Sequence, residues 1–242
     1  MSSEHLMGEE SLASDADAIR RLRVKVCGIR TVAEARAAAK AGVDAIGLNF
    51  YAKSRRCVSV EEAARVADAV GGRVLMVGLF VNDSPERIEG VRSSVGLDFI
   101  QLHGDEPASL WTDRSDVPLI RALRWPPAGP LEDDFVHDWT AAVQAASVAA
   151  YLVDANVRGL FGGTGAVTDW DSLTPRPGVF QGRPLVLAGG LKLENVAAAI
   201  HASGCDAVDT AGGVEAPDGT KDARLMAEFT AAARNAFASR VG

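Results

Sequence analysis

Short apolar runs alternate with amphipathic stretches along most of the chain, and the first of them sets the pattern. In Arg23-Val24-Lys25-Val26-Cys27-Gly28-Ile29 the β-branched valines alternate with Lys25 and Cys27, and Gly28 closes the run, which predicts a strand. Period-two alternation puts Lys25 and Cys27 on one face and the two valines on the other. Thr31 to Ala41 reads as a helix: Thr31 can cap it, Glu34 stands three residues on as in a capping box, and Gly42 follows as a stop. Further strands are predicted over 43–49, 73–81, 97–102, 117–123, 148–153, 185–188 and 205–209. Helices are predicted over 60–70 behind Ser59, from Ser84-Pro85 to Val95, over 106–113, within 131–147, as one turn at 169–173, over 194–203 and over 221–238. The segment from Asp154 to Thr168, with Gly159, Gly162, Gly163 and Gly165, reads as a long loop.

Short apolar strands alternating with amphipathic helices imply βαβ units and a parallel sheet. Eight such units in 242 residues suggest a single closed (β/α)8 barrel of the α/β class. An open, doubly wound sheet is the structural rival. No GxGxxG follows the first strand, and the glycine pairs fall after strands seven and eight, so the barrel is preferred. Closure would bring strand eight beside strand one, with Val208 beside Val26.

Composition narrows the class without changing it. The chain is 48% hydrophobic and 24% charged, the balance of a soluble globular protein. Met1–Leu22 is polar and acidic and reads as a flexible extension; Arg23–Gly242 is the barrel domain. A net charge of −7 argues against a nucleic-acid or anionic-membrane partner. No apolar run approaches the roughly 20 residues that span a bilayer, and the N-terminus lacks the basic and apolar regions of a signal peptide. Cys27, Cys57 and Cys205 are an odd count with no CxxC and no metal-ligand spacing, which suggests reduced thiols in a cytoplasmic protein.

Barrels of this kind carry their chemistry at the C-terminal ends of the strands. Cys27, Asn49, Asn82, His103, Asp154, Gly189-Gly190 and Gly212-Gly213 are expected there. Each has a plain reading and a functional one. Cys27 is either a small buried hydrophobe or a thiol at the rim of a site. Asp154 is either a turn cap or a general acid or base. The glycine pairs are either tight turns or phosphate cradles, since glycine lets backbone N–H groups approach an anion. Lys53, Arg55 and Arg56 form either a solvated loop or a fork for a carboxylate.

Several short motifs recur in order: Lys25-Val26-Cys27-Gly28-Ile29, Ser54-Arg55-Arg56, Val77-Gly78-Leu79-Phe80-Val81-Asn82 and Gln101-Leu102-His103-Gly104. Gly162-Gly163-Thr164-Gly165 with Asp169-Trp170, Ala188-Gly189-Gly190-Leu191 with Glu194-Asn195-Val196, and Gly213-Val214-Glu215 with Gly219-Thr220-Lys221-Asp222 complete them. In these the chain resembles the phosphoribosylanthranilate isomerase family of tryptophan biosynthesis, from about Val24 to the C-terminus. The resemblance implies an Amadori rearrangement of N-(5-phosphoribosyl)anthranilate, with no metal and no organic cofactor. It implies Cys27 as general base and Asp154 as general acid. Substrate would be held by Arg56, on the anthranilate carboxylate, and by His103, Gly163, Thr164, Gly165, Gly189, Gly190, Gly212 and Gly213. A monomer or a homodimer is expected, with a phosphorylated small molecule as its only partner.

That chemistry asks for a protonated carboxyl at Asp154 and a thiolate at Cys27. Lys25, two residues before Cys27 on the same face, is expected to lower the thiol pKa, and as a buried charge it needs a partner, for which Asp209 on strand eight is the candidate. The chain departs from the family where Thr210-Ala211-Gly212-Gly213 replaces two serines before Gly-Val-Glu, and where Phe161 and Ala166-Val167-Thr168 stand. A catalytically silent phosphate-metabolite-binding barrel is therefore kept as an alternative. So is an isomerase of the histidine-biosynthesis type, although Cys27 occupies the place of its first aspartate.

Overall fold

In the computed structural model, which describes residues 19, 21–112, 118–125, 138–139, 141–142, 147–155 and 169–240, eight parallel strands close into one barrel in chain order. They are β1 (Val24–Cys27), β2 (Ala45–Asn49), β3 (Leu75–Phe80), β4 (Phe99–Leu102), β5 (Leu119–Trp125), β6 (Val148–Ala155), β7 (Leu185–Leu187) and β8 (Ala207–Thr210). Closure joins β8 to β1, with Lys25 opposite Asp209. The expected neighbours Val26 and Val208 lie on these adjacent strands but are not opposite one another. Val24 pairs with Val208, and Val26 pairs with Thr210. Among the described residues no helix is long and apolar enough to cross a membrane.

Four of the five described α-helices begin at a side-chain cap. At α1 (Val32–Lys40) the Thr31 hydroxyl accepts from Glu34 N at 3.2 Å, and the Glu34 carboxylate accepts from Thr31 N at 3.2 Å. The Ser59 and Ser84 hydroxyls cap α2 (Val60–Val70) and α3 (Pro85–Val95) by accepting from Glu62 N and Arg87 N, and left-handed glycines at Gly71 and Gly96 end them. After α4 (Val196–Ser203) and β8, Asp222 caps α5 (Ala223–Ser239), so this helix starts two residues later than the pattern predicted. Over 106–113 the predicted helix shrinks to a 3-10 turn, Ala108–Leu110. The Glu106 carboxylate is spent on Asn82 N, Gly104 N and Arg121 rather than on a helix start, and Pro107 precedes the turn.

Alternation along the strands builds two cores. One face packs under the helices in a cluster that includes Val24, Val26, Ile46, Ile100 and Val208. The other fills the barrel with Ala45, Val77, Phe99, Ile120, Leu152, Val186 and Ala207. Ile19 and Leu22 belong to this inner cluster and are 5% and 2% exposed. The last residues of the expected extension are therefore packed with the barrel. Burying such a side chain contributes about 1.5–3 kcal/mol, which ties this segment to the domain.

Candidate active site

Above the apolar filling the inward positions turn polar: Lys25 and Cys27 on β1, Gln101 on β4 with His103 just beyond it, Asp154 on β6 and Asp209 on β8. All but Lys25 line a cavity of about 560 Å³ at the C-terminal ends of the strands. Asn49, Arg56, Gly189, Gly190, Gly212 and Gly213 line it too. Asn82 does not. It sits at φ 54° outside the cavity and accepts from Asp105 N at 2.8 Å, a scaffold role. Gly163, Thr164 and Gly165 lie outside the described residues.

The first side of the cavity is the thiol. Lys25 is fully buried and its Nζ donates to Asp209 Oδ2 at 2.9 Å, the partnership expected from the sequence. Gly47 on β2 makes room for this arrangement: a Cβ there would stand 2.7 Å from Cys27 Sγ and 3.0 Å from Lys25 Nζ. Both atoms thus border the space a methyl group at Gly47 would fill, and Lys25 and Cys27 interact directly. Burial pushes the Cys27 thiol up; Lys25 and Lys221 pull it down, and the net displacement is upward. The expected lowering by Lys25 is present but does not win, because desolvation at this site outweighs it. Burial also works to lower the Lys25 ammonium, but the charge of Asp209, with the contact to Cys27, more than offsets it, so Lys25 stays charged.

The second side is the carboxyl. Asp154 stands near the end of β6, and its Oδ2 is 3.4 Å from His103 Nε2. His103 is oriented from behind by Gln101, whose Nε2 lies 2.9 Å from His103 Nδ1. The spacing i, i+2 puts both on the same inward face.

The third side is basic. The sequence cluster divides: Lys53 is exposed, Arg55 is exposed and borders the cavity, and Arg56 is 8% exposed and lines it. Gly28, at φ 80°, passes directly against the Arg56 side chain, where a Cβ would collide with it. Arg56 Nε and Nη2 donate to the two oxygens of Glu215 at 2.5 and 3.0 Å. Of its five N–H donors, three have no acceptor among the described residues. Glu215 also receives Arg55 Nη2 at 2.7 Å and Lys221 Nζ at 2.9 Å. Burial alone would raise the Glu215 carboxyl; the hydrogen bonds and charges of Arg56 and Lys221 outweigh this and hold it down at about 2. One carboxylate against three cations leaves this wall net positive.

The fourth side is glycine. Gly189 and Gly190 adopt φ 85° and 63°, and no described residue accepts from their N–H groups. Gly213 lies so close to the Leu191 carbonyl that no side chain fits, and Thr210 Oγ1 donates to the same carbonyl at 2.8 Å. The Thr210 hydroxyl is thus used to join the two loops. Between the basic and thiol sides, Cys27, Leu79 and Val81 form a small apolar patch with Tyr51 and Ala211 packed against it.

Sequence reasoning left two parts of the site without a role. Gln101 stood in a motif, and its spacing from His103 was the available signal. Glu215 and Lys221 are brought together by an antiparallel bridge across a turn, which neither residue's neighbours announce. Among the described residues no three of His, Cys, Asp and Glu come together as a metal-binding group.

The profile of the N-(5'phosphoribosyl)anthranilate (PRA) isomerase family matches residues 24–232. An N-(5'-phosphoribosyl)anthranilate isomerase of Pseudomonas aeruginosa is 44% identical over 214 residues, covering 88% of this chain and 96% of the relative. Monomers of the dimeric phosphoribosylanthranilate isomerase from Thermotoga maritima superpose with a TM-score of 0.71 at 34% identity, over 88% of this chain and 99% of that one. A phosphoribosyl anthranilate isomerase in complex with reduced 1-(o-carboxyphenylamino)-1-deoxyribulose 5-phosphate gives a TM-score of 0.72 at 34% identity, with the same coverage of 88% and 99%.

Proposed function

The chain belongs to the N-(5'-phosphoribosyl)anthranilate isomerase family, and we propose from this that it catalyses the Amadori rearrangement of N-(5'-phosphoribosyl)anthranilate to 1-(2-carboxyphenylamino)-1-deoxyribulose 5-phosphate in tryptophan biosynthesis. The observation that carries the reading is the composition of one cavity: a thiol, a carboxyl, an arginine with donors to spare and a two-loop glycine cradle all face it. Each matches one demand of the reaction.

The phosphate binds at Gly189, Gly190, Gly212 and Gly213, where Gly189 and Gly190 offer N–H groups that no described residue uses. The Thr210-Ala211 departure costs hydroxyl donors there but leaves the backbone donors. The anthranilate ring lies on the apolar patch of Leu79 and Val81, and its carboxylate takes the N–H groups of Arg56 that Glu215 leaves over. Gly163, Thr164 and Gly165 complete the substrate contacts in this reading.

Asp154, protonated, gives its proton to the furanose oxygen, and the C1–O bond breaks to leave a Schiff base. The Cys27 thiolate then removes the proton from C2, and the electron pair moves through C1 to neutralise the iminium nitrogen. The resulting enol-amine becomes the ketone when the C2 hydroxyl proton leaves and a proton is taken up at C1. His103, against Asp154, keeps the carboxyl aimed into the cavity. Lys25, held charged by Asp209, supports the thiolate at the moment it is needed. No metal and no organic cofactor takes part. The protein works in the cytoplasm as a monomer or a homodimer.

The test is turnover of N-(5'-phosphoribosyl)anthranilate followed by the loss of its anthranilate fluorescence. Turnover supports the reading. Tight binding without turnover would instead favour a silent phosphate-metabolite-binding barrel.

A further inference from the structure

One carboxylate behind the cavity wall holds donors of two of its sides at once. Glu215 follows the strand-eight glycines; its side chain is 5% exposed and does not line the cavity. Each of its oxygens accepts twice. Oε1 takes Arg56 Nε at 2.5 Å and Lys221 Nζ at 2.9 Å; Oε2 takes Arg56 Nη2 at 3.0 Å and Arg55 Nη2 at 2.7 Å. The paired bonds to Nε and Nη2 fix the Arg56 guanidinium in its own plane. Its end edge keeps one hydrogen on each terminal nitrogen, the fork that matches a carboxylate, and Arg56 lines the cavity.

The same carboxylate reaches the glycine loop by a second route. Lys221, whose side chain is fully buried, donates its Nζ to Ala211 O at 2.9 Å as well as to Glu215. The Ala211 carbonyl and the Gly212 N–H are opposite ends of one planar trans peptide, so whatever aims the carbonyl aims the N–H the other way. Gly212 is exposed and lines the cavity, and no described residue accepts from its N–H. The next peptide is held too, since Gly212 O accepts from Glu215 N at 3.2 Å. Arg56 stands against this loop: a Cβ at Gly212 would lie 3.6 Å from Arg56 Nη2. The fork and the glycine donor thus hang on one side chain, although they belong to loops after β2 and after β8.

Resting on the function proposed above, we propose that Glu215 is a positioning residue for both anion subsites: it aims the free edge of Arg56 at the anthranilate carboxylate and, through Lys221, the Gly212 N–H at the phosphate. Glu215 itself touches neither group. It sets the spacing between the two subsites, so a ligand gains from both only when it carries its two anions at that spacing.

The experiment is calorimetry on the full chain with three ligands: reduced 1-(o-carboxyphenylamino)-1-deoxyribulose 5-phosphate, its counterpart without the ring carboxylate, and its counterpart without the phosphate. Wild-type protein should prefer the complete ligand over either counterpart by about 10–100-fold, the range for hydrogen bonds to charged groups. Glu215→Gln keeps the length but sets an amide NH2 against the cations, and both preferences should fall by about tenfold. Glu215→Asp keeps the charge that the cations need, so it guards against a folding failure of Glu215→Gln. One methylene shorter, it cannot hold Arg56 and Lys221 as Glu215 does, and both preferences should fall by roughly 3–10-fold. Arg56→Ala should remove the carboxylate preference and leave the phosphate preference within about threefold. A merely structural Glu215 would weaken all three ligands alike; unchanged preferences in Glu215→Asp overturn the positioning role. Loss of one preference alone in Glu215→Asp, or of both in Arg56→Ala, overturns the link between the subsites. The readout is binding, so wild-type protein that shows these preferences without turnover overturns the isomerase reading alone. Normal turnover with unchanged preferences in Glu215→Asp overturns this assignment alone.

Discussion

Two buried ion pairs sit on the same barrel and are built differently. On the helix side of β5, Arg121 is fully buried and meets Glu106 at 2.5 Å. Both Glu106 oxygens are taken: Asn82 N and Gly104 N donate to it, Arg121 also donates to the Gly104 carbonyl at 2.5 Å, and its guanidinium lies 4.9 Å over the Trp139 ring. Inside the barrel, Lys25 and Asp209 share a single bond of 2.9 Å, with the other carboxylate oxygen buried and unpaired among the described residues and a thiol alongside. The first pair engages both carboxylate oxygens and holds three segments of chain together. The second rests on one carboxylate oxygen beside a thiol. A buried carboxylate bonded at both oxygens fixes the segments around it, whereas one bonded at a single oxygen depends on a single cation.

This contrast can be broken at either end. Glu106→Ala should have the largest effect on stability, about 3–5 kcal/mol, because it strands Arg121 as a buried unpaired charge. Denaturant unfolding measures it, and a loss under about 1 kcal/mol would mean that Arg121 finds water or another partner at no cost. Arg56→Ala tests the intermediate case, a cation half committed to the protein. It should raise KM about 10–100-fold, with a smaller change in kcat, since its contact with the substrate carboxylate is made in ground and transition states alike. An unchanged KM would confine Arg56 to holding Glu215.

Lys25→Met also strands a buried partner, Asp209, but it acts on the chemistry as well. Losing the cation beside Cys27 raises the thiol pKa further. Each tenfold loss of thiolate at a given pH should lower kcat/KM in proportion, and a fall of roughly tenfold is expected. Alkylation of Cys27 by iodoacetamide against pH reads the same change directly, and a purely structural lysine would leave that curve in place. The smallest effect is on the wild type itself. Burial raises the Cys27 pKa, so the thiol is protonated at neutral pH and the active base appears as protons leave. The acid limb of kcat/KM should therefore lie above the ordinary thiol value of about 8.5, activity rising with pH up to it. A limb well below that value would show that the cations outweigh desolvation.

The barrel was legible because its strands are apolar and its helix starts carry caps: Thr31, Ser59 and Ser84 act as their sequence positions suggest. Lys25 and Asp209 were legible as partners because period-two alternation and barrel closure bring their strands together. The failures have local causes. Register between β8 and β1 depends on the stagger of the whole barrel, so Val26 faces Thr210 and not Val208. The short turn at Ala108–Leu110 replaced a helix because the Glu106 side chain is drawn into a tertiary network that composition cannot reveal. In the site, the strand-end residues Cys27, His103 and Asp154 were legible by position. The Arg56–Glu215–Lys221 cluster was not, since it depends on two loops far apart in the chain. The direction in which the Cys27 pKa moves was misjudged because sequence shows a neighbouring charge but not the extent of burial.

The most direct measurement is steady-state turnover of N-(5'-phosphoribosyl)anthranilate by the wild type, Cys27→Ser and Asp154→Asn side by side. Cys27→Ser offers a hydroxyl far too weakly acidic to serve as the base, and Asp154→Asn has no carboxyl proton to give. The wild type should consume the substrate, and each variant should lose about 10²–10⁴-fold in kcat with KM little changed. A Cys27→Ser enzyme with near wild-type kcat would contradict the assignment of the base and return Cys27 to the role of a small buried hydrophobe.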